Sequence, residues 1–309
     1  MKRWKERLRA FLFPAETDAW VTVLRVGLAL QVLAYALSLR SDWNDLFSGT
    51  GEGFVGRALP ERLLTMESPF IPRLAWLVEI GKLIGLAETT TFSITWWLLV
   101  LTTSCLLAGL FCRWSTILTW FLYLCAAKSA GFTAYGVDNF TTIGLFYLML
   151  SPLPDRYSLD RRFLQLKTGH TRLLGFFRRV LQIHLCLIYF FSGLAKVLGS
   201  GWWNGSNLWR SLIRPPFNVI SPEILVHFKY LFPIAGIAVC LLEVGYPFLM
   251  WNRTTRGVWL ISICGMHLAI GLAMGMYLFA SIMIVLNIAA FGPGLGPARS
   301  EKLVRISAS

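Results

Sequence analysis

Charge is scarce in this chain, and negative charge scarcest: 15% of its 309 residues are charged, with 16 Asp and Glu against 29 Lys and Arg. A soluble domain carries about a quarter charged residues. Too little polar side chain is present to cover a water-facing exterior, which excludes an ordinary soluble enzyme and a disordered chain. The basic surplus then reports membrane orientation rather than nucleic-acid binding, since no polar face is left for a basic stripe. Cysteine is sparse too. Cys105, Cys112, Cys125, Cys186, Cys240 and Cys264 all lie in or at the end of apolar runs, with no CxxC pair. That pattern argues against a disulfide framework, a zinc site or haem attachment and reads as small apolar packing residues. GxSxG, HExxH and Walker sequences are missing, and no clustered His or carboxylate ligands point to a metal. Internal repeats and low-complexity tracts are absent.

What is abundant is apolar surface: 56% of residues are hydrophobic, and mean hydropathy is +0.60. A helix needs roughly 20 apolar residues to cross a bilayer. Eight segments approach that length: 18–39, 92–111, 115–135, 139–152, 178–198, 231–251, 258–275 and 277–291. The expected fold is an all-α, polytopic integral membrane bundle of about eight transmembrane helices. The fourth and eighth segments are short. Residues 1–17 read as a basic cytoplasmic segment, 18–291 as the membrane domain and 292–309 as a cytoplasmic tail. Met1 to Arg9 followed by an apolar run and Ala34-Tyr35-Ala36 has features of a secretory signal. Arg25 inside the run, and the spans that follow, favour a first transmembrane helix instead.

With the N-terminus inside and eight alternating spans, 18 of the 29 cations fall on the inner side and 8 in outer loops; Arg25, Lys128 and Lys196 remain within spans. This is the positive-inside asymmetry. Two outer loops are long, 40–91 and 199–230. In the first, Leu74, Leu77, Val78, Gly81, Ile84 and Gly85 share one helical face, as in an amphipathic helix on the membrane surface or capping the bundle. In the second, Trp202, Trp203 and Trp209 suit an interfacial aromatic belt. The inner basic run from Arg156 to Arg179 reads as a solvated loop.

Ionisable side chains in hydrocarbon are costly unless paired or solvated, and so mark sites. Counting about 1.5 Å per residue from Arg179, Arg113 and Arg256 puts Lys196 and Lys128 in the outer half and His267 near the midplane. Glu243 enters from the outer side. These depths describe a cavity opening outward. Gln182, Tyr189 and Lys196 recur every seven residues, and Ser192 precedes Lys196 by one turn, making one polar stripe. Lys196 has two readings: a snorkelling or salt-bridged lysine, or a desolvated amine acting as a base. Glu243 is either a structural ion-pair partner of Lys128, Lys196 or Arg25, or a residue with a catalytic role. His267 precedes Gly271 and Gly275 in a GxxxG helix and is a packing or a site histidine. His184 reads as a core histidine, His170 as a loop residue, His227 as an interfacial one and Arg25 as structural. Asp138-Asn139 has the form of a helix cap.

Several of these elements, taken in order, resemble the HTTM family, the membrane domain related to vitamin K-dependent γ-carboxylase. They are Leu107-Ala-Gly-Leu-Phe-Cys-Arg113, Asp138-Asn-Phe, Pro154-Asp-Arg-Tyr-Ser-Leu-Asp160, and Gln182-Ile-His-Leu-Cys-Leu-Ile-Tyr-Phe-Phe-Ser-Gly-Leu-Ala-Lys196. Trp203-Asn-Gly205, Glu243 before Pro247, Arg256 and His267 extend the likeness over about 20–291. The resemblance implies a short bacterial-type member in the inner membrane with both termini cytoplasmic. It implies a reduced vitamin K or menaquinone-type quinol as cofactor, with Lys196 as base and His267 and Glu243 shaping or polarising the pocket. Gln182, Tyr189, Ser192, Lys128, Asp138 and Asn139 would line it. Where the carboxylase has an Asn-His pair, Asp138-Asn139 stands here, and its exported substrate-binding domain has no counterpart. Short bacterial relatives offer a second expectation: a maturation, export or immunity partner of a co-expressed peptide, as in the sporulation-delaying toxin system, or a DoxX-like redox subunit.

Overall fold

The computed structural model describes residues 2–47, 58–131, 134–165 and 171–292. No β-strand occurs among them beyond an isolated bridge between Glu16 and Thr171. The principal helices are α1 (Lys2–Leu12), α2 (Ala19–Ser38), α6 (Glu88–Ala108), α7 (Cys112–Ser129), α8 (Gly136–Leu150), α10 (Arg172–Val197), α14 (Leu231–Leu249), α15 (Arg253–Met274) and α16 (Tyr277–Phe291). Short helices fill the connections: α3 (Trp43–Phe47), α4 (Ala58–Glu67), α5 (Leu74–Leu83), α9 (Leu159–Phe163), α11 (Ser200–Trp203), α12 (Ser206–Ile213) and α13 (Pro222–His227). This is an all-α bundle of an integral membrane protein.

Every one of the eight expected spans is a helix, but they are not equivalent. Five (α2, α6, α10, α14 and α15) are long and apolar enough to cross a membrane. The third expected span stops at Ser129 rather than 135, leaving 18 residues that carry buried Ser115, Thr116 and Thr119. α8 and α16 have 15 residues each, about 22 Å at 1.5 Å per residue against roughly 30 Å of hydrocarbon. Both are enclosed by longer neighbours: α16 lies between α2 and α15, and α8 between α2 and α7.

Helix ends follow local chemistry. Gly109 (φ 74°) and Gly275 (φ 71°) close α6 and α15 in the left-handed region, where a side chain is strained. Thr171 caps α10 by accepting from Leu174 N, and Asn252 caps α15 by accepting from Thr254 N. The core joins α2, α6, α7, α8, α10 and α16 through Leu24, Leu28, Leu99, Tyr123, Leu145, Leu185 and Leu286. Small residues set the closest approaches. A Cβ on Gly271 would stand 2.8 Å from Ala280 Cβ, so this glycine packs α15 on α16, while Gly275, the second of the pair, ends the helix instead.

At one end of the bundle, Arg178 bonds both Glu16, before α2, and the Gly292 carbonyl, after α16. Residue 16 and residue 292 therefore lie on the same face, as an even number of passes requires. The expected cytoplasmic tail lies outside the described residues from 293 onward, as do Lys167 and His170. In the first long loop, α5 buries Leu74, Val78 and Gly81 and packs on α6 and α7, capping the bundle. The expected apolar face is shorter than its spacing implied: Ile84 is 71% exposed and Gly85 turns the chain at φ 78°.

The end bearing Arg178 is locked by buried charge. Arg25 Nε lies 2.5 Å from Asp155 Oδ2, with side chains 1% and 0% exposed. Its guanidinium also donates to the carbonyls of Leu106 and Leu107 at the end of α6. Asp160 accepts from the N–H groups of Phe111 and Cys112 at the start of α7. Asp18 pairs with Arg156 and Arg161. The Leu107–Arg113 and Pro154–Asp160 segments thus bind one another around Arg25, a structural role as expected for that arginine.

Candidate functional site

Four helices bring polar side chains to a common buried region toward the opposite end. Lys196, in the last turn of α10, has its Nζ 2.6 Å from Ser192 Oγ and 2.7 Å from Glu243 Oε2 on α14. Ser192 is one turn earlier on the same face, so the sequence spacing makes that contact automatically. Of the three cations the sequence offered Glu243, the structure selects Lys196. The ammonium also faces the Trp202 ring at 5.3 Å, a cation–π contact. The Lys196 side chain is 20% exposed and that of Glu243 8%. Gly193 permits the pair: a Cβ there would stand 2.7 Å from Val244 N and 2.9 Å from Glu243 Cβ.

One turn toward the midplane runs a hydrogen-bonded chain. Asn287 Nδ2 donates to the Met283 carbonyl at 2.8 Å, and a carbonyl can only accept, which orients the amide. Its Oδ1 then accepts from Tyr246 OH at 2.7 Å, and Nδ2 also donates to Tyr189 OH at 2.7 Å. Tyr189 OH lies 2.7 Å from His267 Nε2. The tautomer of His267 sets the direction of that bond: with the proton on Nδ1, Tyr189 donates to Nε2, and with the proton on Nε2 the imidazole donates to the phenol oxygen. His267 Nδ1 has no hydrogen-bond partner, and the residue is 4% exposed. The Tyr189 and Tyr246 rings stack at 4.2 Å, while Phe279 packs edge-on against the imidazole at 5.7 Å.

The site therefore contains two stacked parts. Glu243 and Tyr246 are three residues apart on α14, and Tyr189 and Ser192 three apart on α10, so both parts share one face of each helix. The part nearer the end of α10 is an ion pair. The other is a hydrogen-bonded relay ending in a buried imidazole nitrogen without a partner.

Not every expected residue belongs to it. Gln182 bonds the Ala290 carbonyl at 2.6 Å and accepts from Arg179 near the Arg178 end. Seven residues from Tyr189 is two turns, and the stripe simply runs past the site. Asp138 instead caps α8: its Oδ2 accepts from Tyr135 N, and its Oδ1 from Tyr123 OH at 3.1 Å. Asn139 is exposed, because adjacent helical positions point about 100° apart. Lys128 is half-buried and its side chain has no hydrogen-bond or ion-pair partner among the described residues. His184 is half-buried and bonds Tyr147 OH through Nδ1, and His227 bonds the Glu223 carbonyl at the surface. No group of His, Cys, Asp and Glu able to hold a metal occurs among the described residues.

Two members were not found from the sequence. Asn287 is fully buried at 0% exposure and is the hub of the relay. It is the one amide in the apolar stretch 277–291, a signal available to sequence reading. Tyr246, three residues after Glu243, carried the same helical signal.

No protein-family model matches this chain, and neither a curated protein nor a solved structure matches it.

Proposed function

We propose that the region between α10, α14, α15 and α16 binds the head group of a lipid quinol of the menaquinone or vitamin K type. The carrying observation is the buried, partnerless Nδ1 of His267 beside an ion pair. Leaving a buried polar nitrogen unpaired costs about 1–3 kcal/mol, a cost that a ligand hydroxyl removes, since it can donate or accept. A quinol supplies two hydroxyl groups able to make such a bond and to release protons. Its isoprenoid tail suits entry from lipid between apolar helices.

Within this reading His267 orients the ligand and is itself held by Tyr189, Asn287 and Tyr246. Glu243 and Lys196 act together as the proton acceptor. An ammonium cannot accept a proton, so Lys196 serves as a base only after Nζ passes one proton to Glu243 Oε2 across 2.7 Å. The acceptor is thus the pair, a refinement of the isolated lysine base. Trp202 and Ser192 hold Nζ in place while the proton moves. The HTTM resemblance supports quinol-linked epoxidation or carboxylation-type chemistry, and the cation asymmetry supports both termini facing the cytoplasm of a bacterial-type inner membrane.

The test is incubation of purified protein with reduced menaquinone or reduced vitamin K and dioxygen, which together give the epoxide and water. Mass spectrometry should detect epoxide from the wild type and a loss of about 100-fold or more in Lys196→Ala, as for removal of a general base. Equal product from both proteins would remove Lys196 from the mechanism.

One observation favours a second reading. The Lys196 ammonium is engaged by Ser192, Glu243 and Trp202 together, as a structural clamp would be. In that case the protein is a non-catalytic membrane partner of a co-expressed peptide or protein, using its outer-loop helices. Retained biological activity in Lys196→Met, together with loss on deleting α4 and α5, would support this reading over the quinol site.

A further inference from the structure

The N-terminal helix takes no part in the bundle core, yet one of its faces is apolar. At 100° per residue, Trp4, Leu8, Phe11 and Leu12 fall on one arc of α1. Arg7 and Lys5 flank that arc, while Arg3 and Arg9 extend the basic side. The helix holds five cations, Lys2, Arg3, Lys5, Arg7 and Arg9, against the single acid Glu6. Residues 3–11 are all exposed, with Trp4 at 67%, Leu8 at 40% and Phe11 at 42%. A helix so patterned is unstable in water on its own, since its apolar face has nothing to cover it.

The attachment fixes where this face lies. Arg179 Nε donates to the Phe11 carbonyl at 2.9 Å, and its guanidinium sits 4.5 Å over the Phe11 ring and 4.8 Å over Trp251. Phe13 stacks on Phe176 at 4.8 Å. Gly175 lies against the Pro14 carbonyl, where any side chain would collide. Arg179 is on α10, and Trp251 lies in the turn between α14 and α15. The C-terminal end of α1 is thus pinned at the level where three spans meet the membrane surface. Exposed Arg172 and Arg253 lie at the same level.

We infer that α1 is an in-plane anchor that binds the anionic headgroup layer of the bilayer, burying Trp4, Leu8 and Phe11 at the acyl boundary. Arg7 and Lys5, at the edges of the apolar arc, reach their charges up to lipid phosphates while their stems stay in the boundary region. Charge complementarity selects an acidic lipid surface: each basic residue near such a surface adds to binding, and the effect is screened by salt. A zwitterionic surface offers the apolar term without the electrostatic one.

The experiment uses the full chain in nanodiscs of phosphatidylcholine alone or with phosphatidylglycerol added. Trypsin cleavage after Lys5, Arg7 and Arg9 is followed by intact mass. Cleavage should be slowed about tenfold or more by the acidic lipid, and high salt should remove most of that protection. Trp4→Glu/Leu8→Glu should cleave at the fast rate in both lipids while keeping the wild-type melting temperature, because neither side chain packs in the core. Equal rates in the two lipids would overturn the inference. So would equal protection in lipid-free detergent, which would assign the face to a protein contact. Protection that persists in the double variant would show that the apolar arc is not the buried face.

Discussion

Tyr189 on α10 receives a hydrogen bond from Asn287 on α16 and shares a second with His267 Nε2 on α15, both at 2.7 Å. Three helices are thereby tied through one phenol oxygen. In a medium without water, such a chain has no competing solvent partner.

Asn287→Leu should remove three hydrogen bonds at once and leave the Tyr189 and Tyr246 oxygens changed in environment. Interhelical bonds in membranes average about 0.6 kcal/mol and reach about 1.7, so the loss should be roughly 2–3 kcal/mol, whereas Tyr246→Phe should cost about 1 kcal/mol. Thermal unfolding in a single detergent checks the order. A larger loss in Tyr246→Phe than in Asn287→Leu would remove Asn287 as the hub.

Lys196 and Glu243 should behave as a coupled pair. Lys196→Met strands a carboxylate and Glu243→Leu strands an ammonium, each costing about 3 kcal/mol, discounted somewhat for the partial exposure of Lys196. The double variant should recover much of that loss, because neither charge is then left unpaired. A double-mutant cycle read by unfolding is the measurement, and simple additivity would mean that the two side chains do not interact.

Gly193→Ala would place a methyl group against Val244 N and Glu243 Cβ, where the closest distance is 2.7 Å. The helices must part, at about 1–3 kcal/mol for an overpacked contact. Loss of any Lys196-dependent activity should accompany the drop in melting temperature. Gly257→Ala is the matched control, as its added Cβ meets nothing within 4 Å.

Arg25→Met leaves Asp155 fully buried without its cation, which should cost about 3–5 kcal/mol. Its yield of folded protein should fall sharply. Arg25→Met/Asp155→Asn should restore part of the yield, measured by the monodisperse fraction on size exclusion. No restoration would show that the carbonyl contacts of Arg25, rather than its ion pair, hold this end together.

Much was written in the residues themselves. Eight apolar runs and a one-sided excess of Lys and Arg are one-dimensional signals, because hydrocarbon admits only helices whose backbone is satisfied internally. They specified an all-α membrane bundle with both ends of the membrane domain on one face. The Ser192–Lys196 contact was equally legible, being one helical turn. Helix lengths were less so: α7 ends at Ser129 since hydropathy is averaged over a window, whereas a helix stops where its last carbonyls find other partners.

Pairing across helices was a decision of the tertiary structure. Glu243 had three possible cations in the sequence, and only the Gly193 contact, which lets α10 and α14 approach, brings Lys196 within 2.7 Å of it. Gln182 shared the seven-residue stripe with the site, and Asp138 was placed there by the family resemblance, yet Gln182 bonds α16 near the far end and Asp138 caps α8. Periodicity tells which face a side chain occupies and not which neighbour that face meets. The neighbour depends on helix order and crossing, set by packing between segments far apart in the chain.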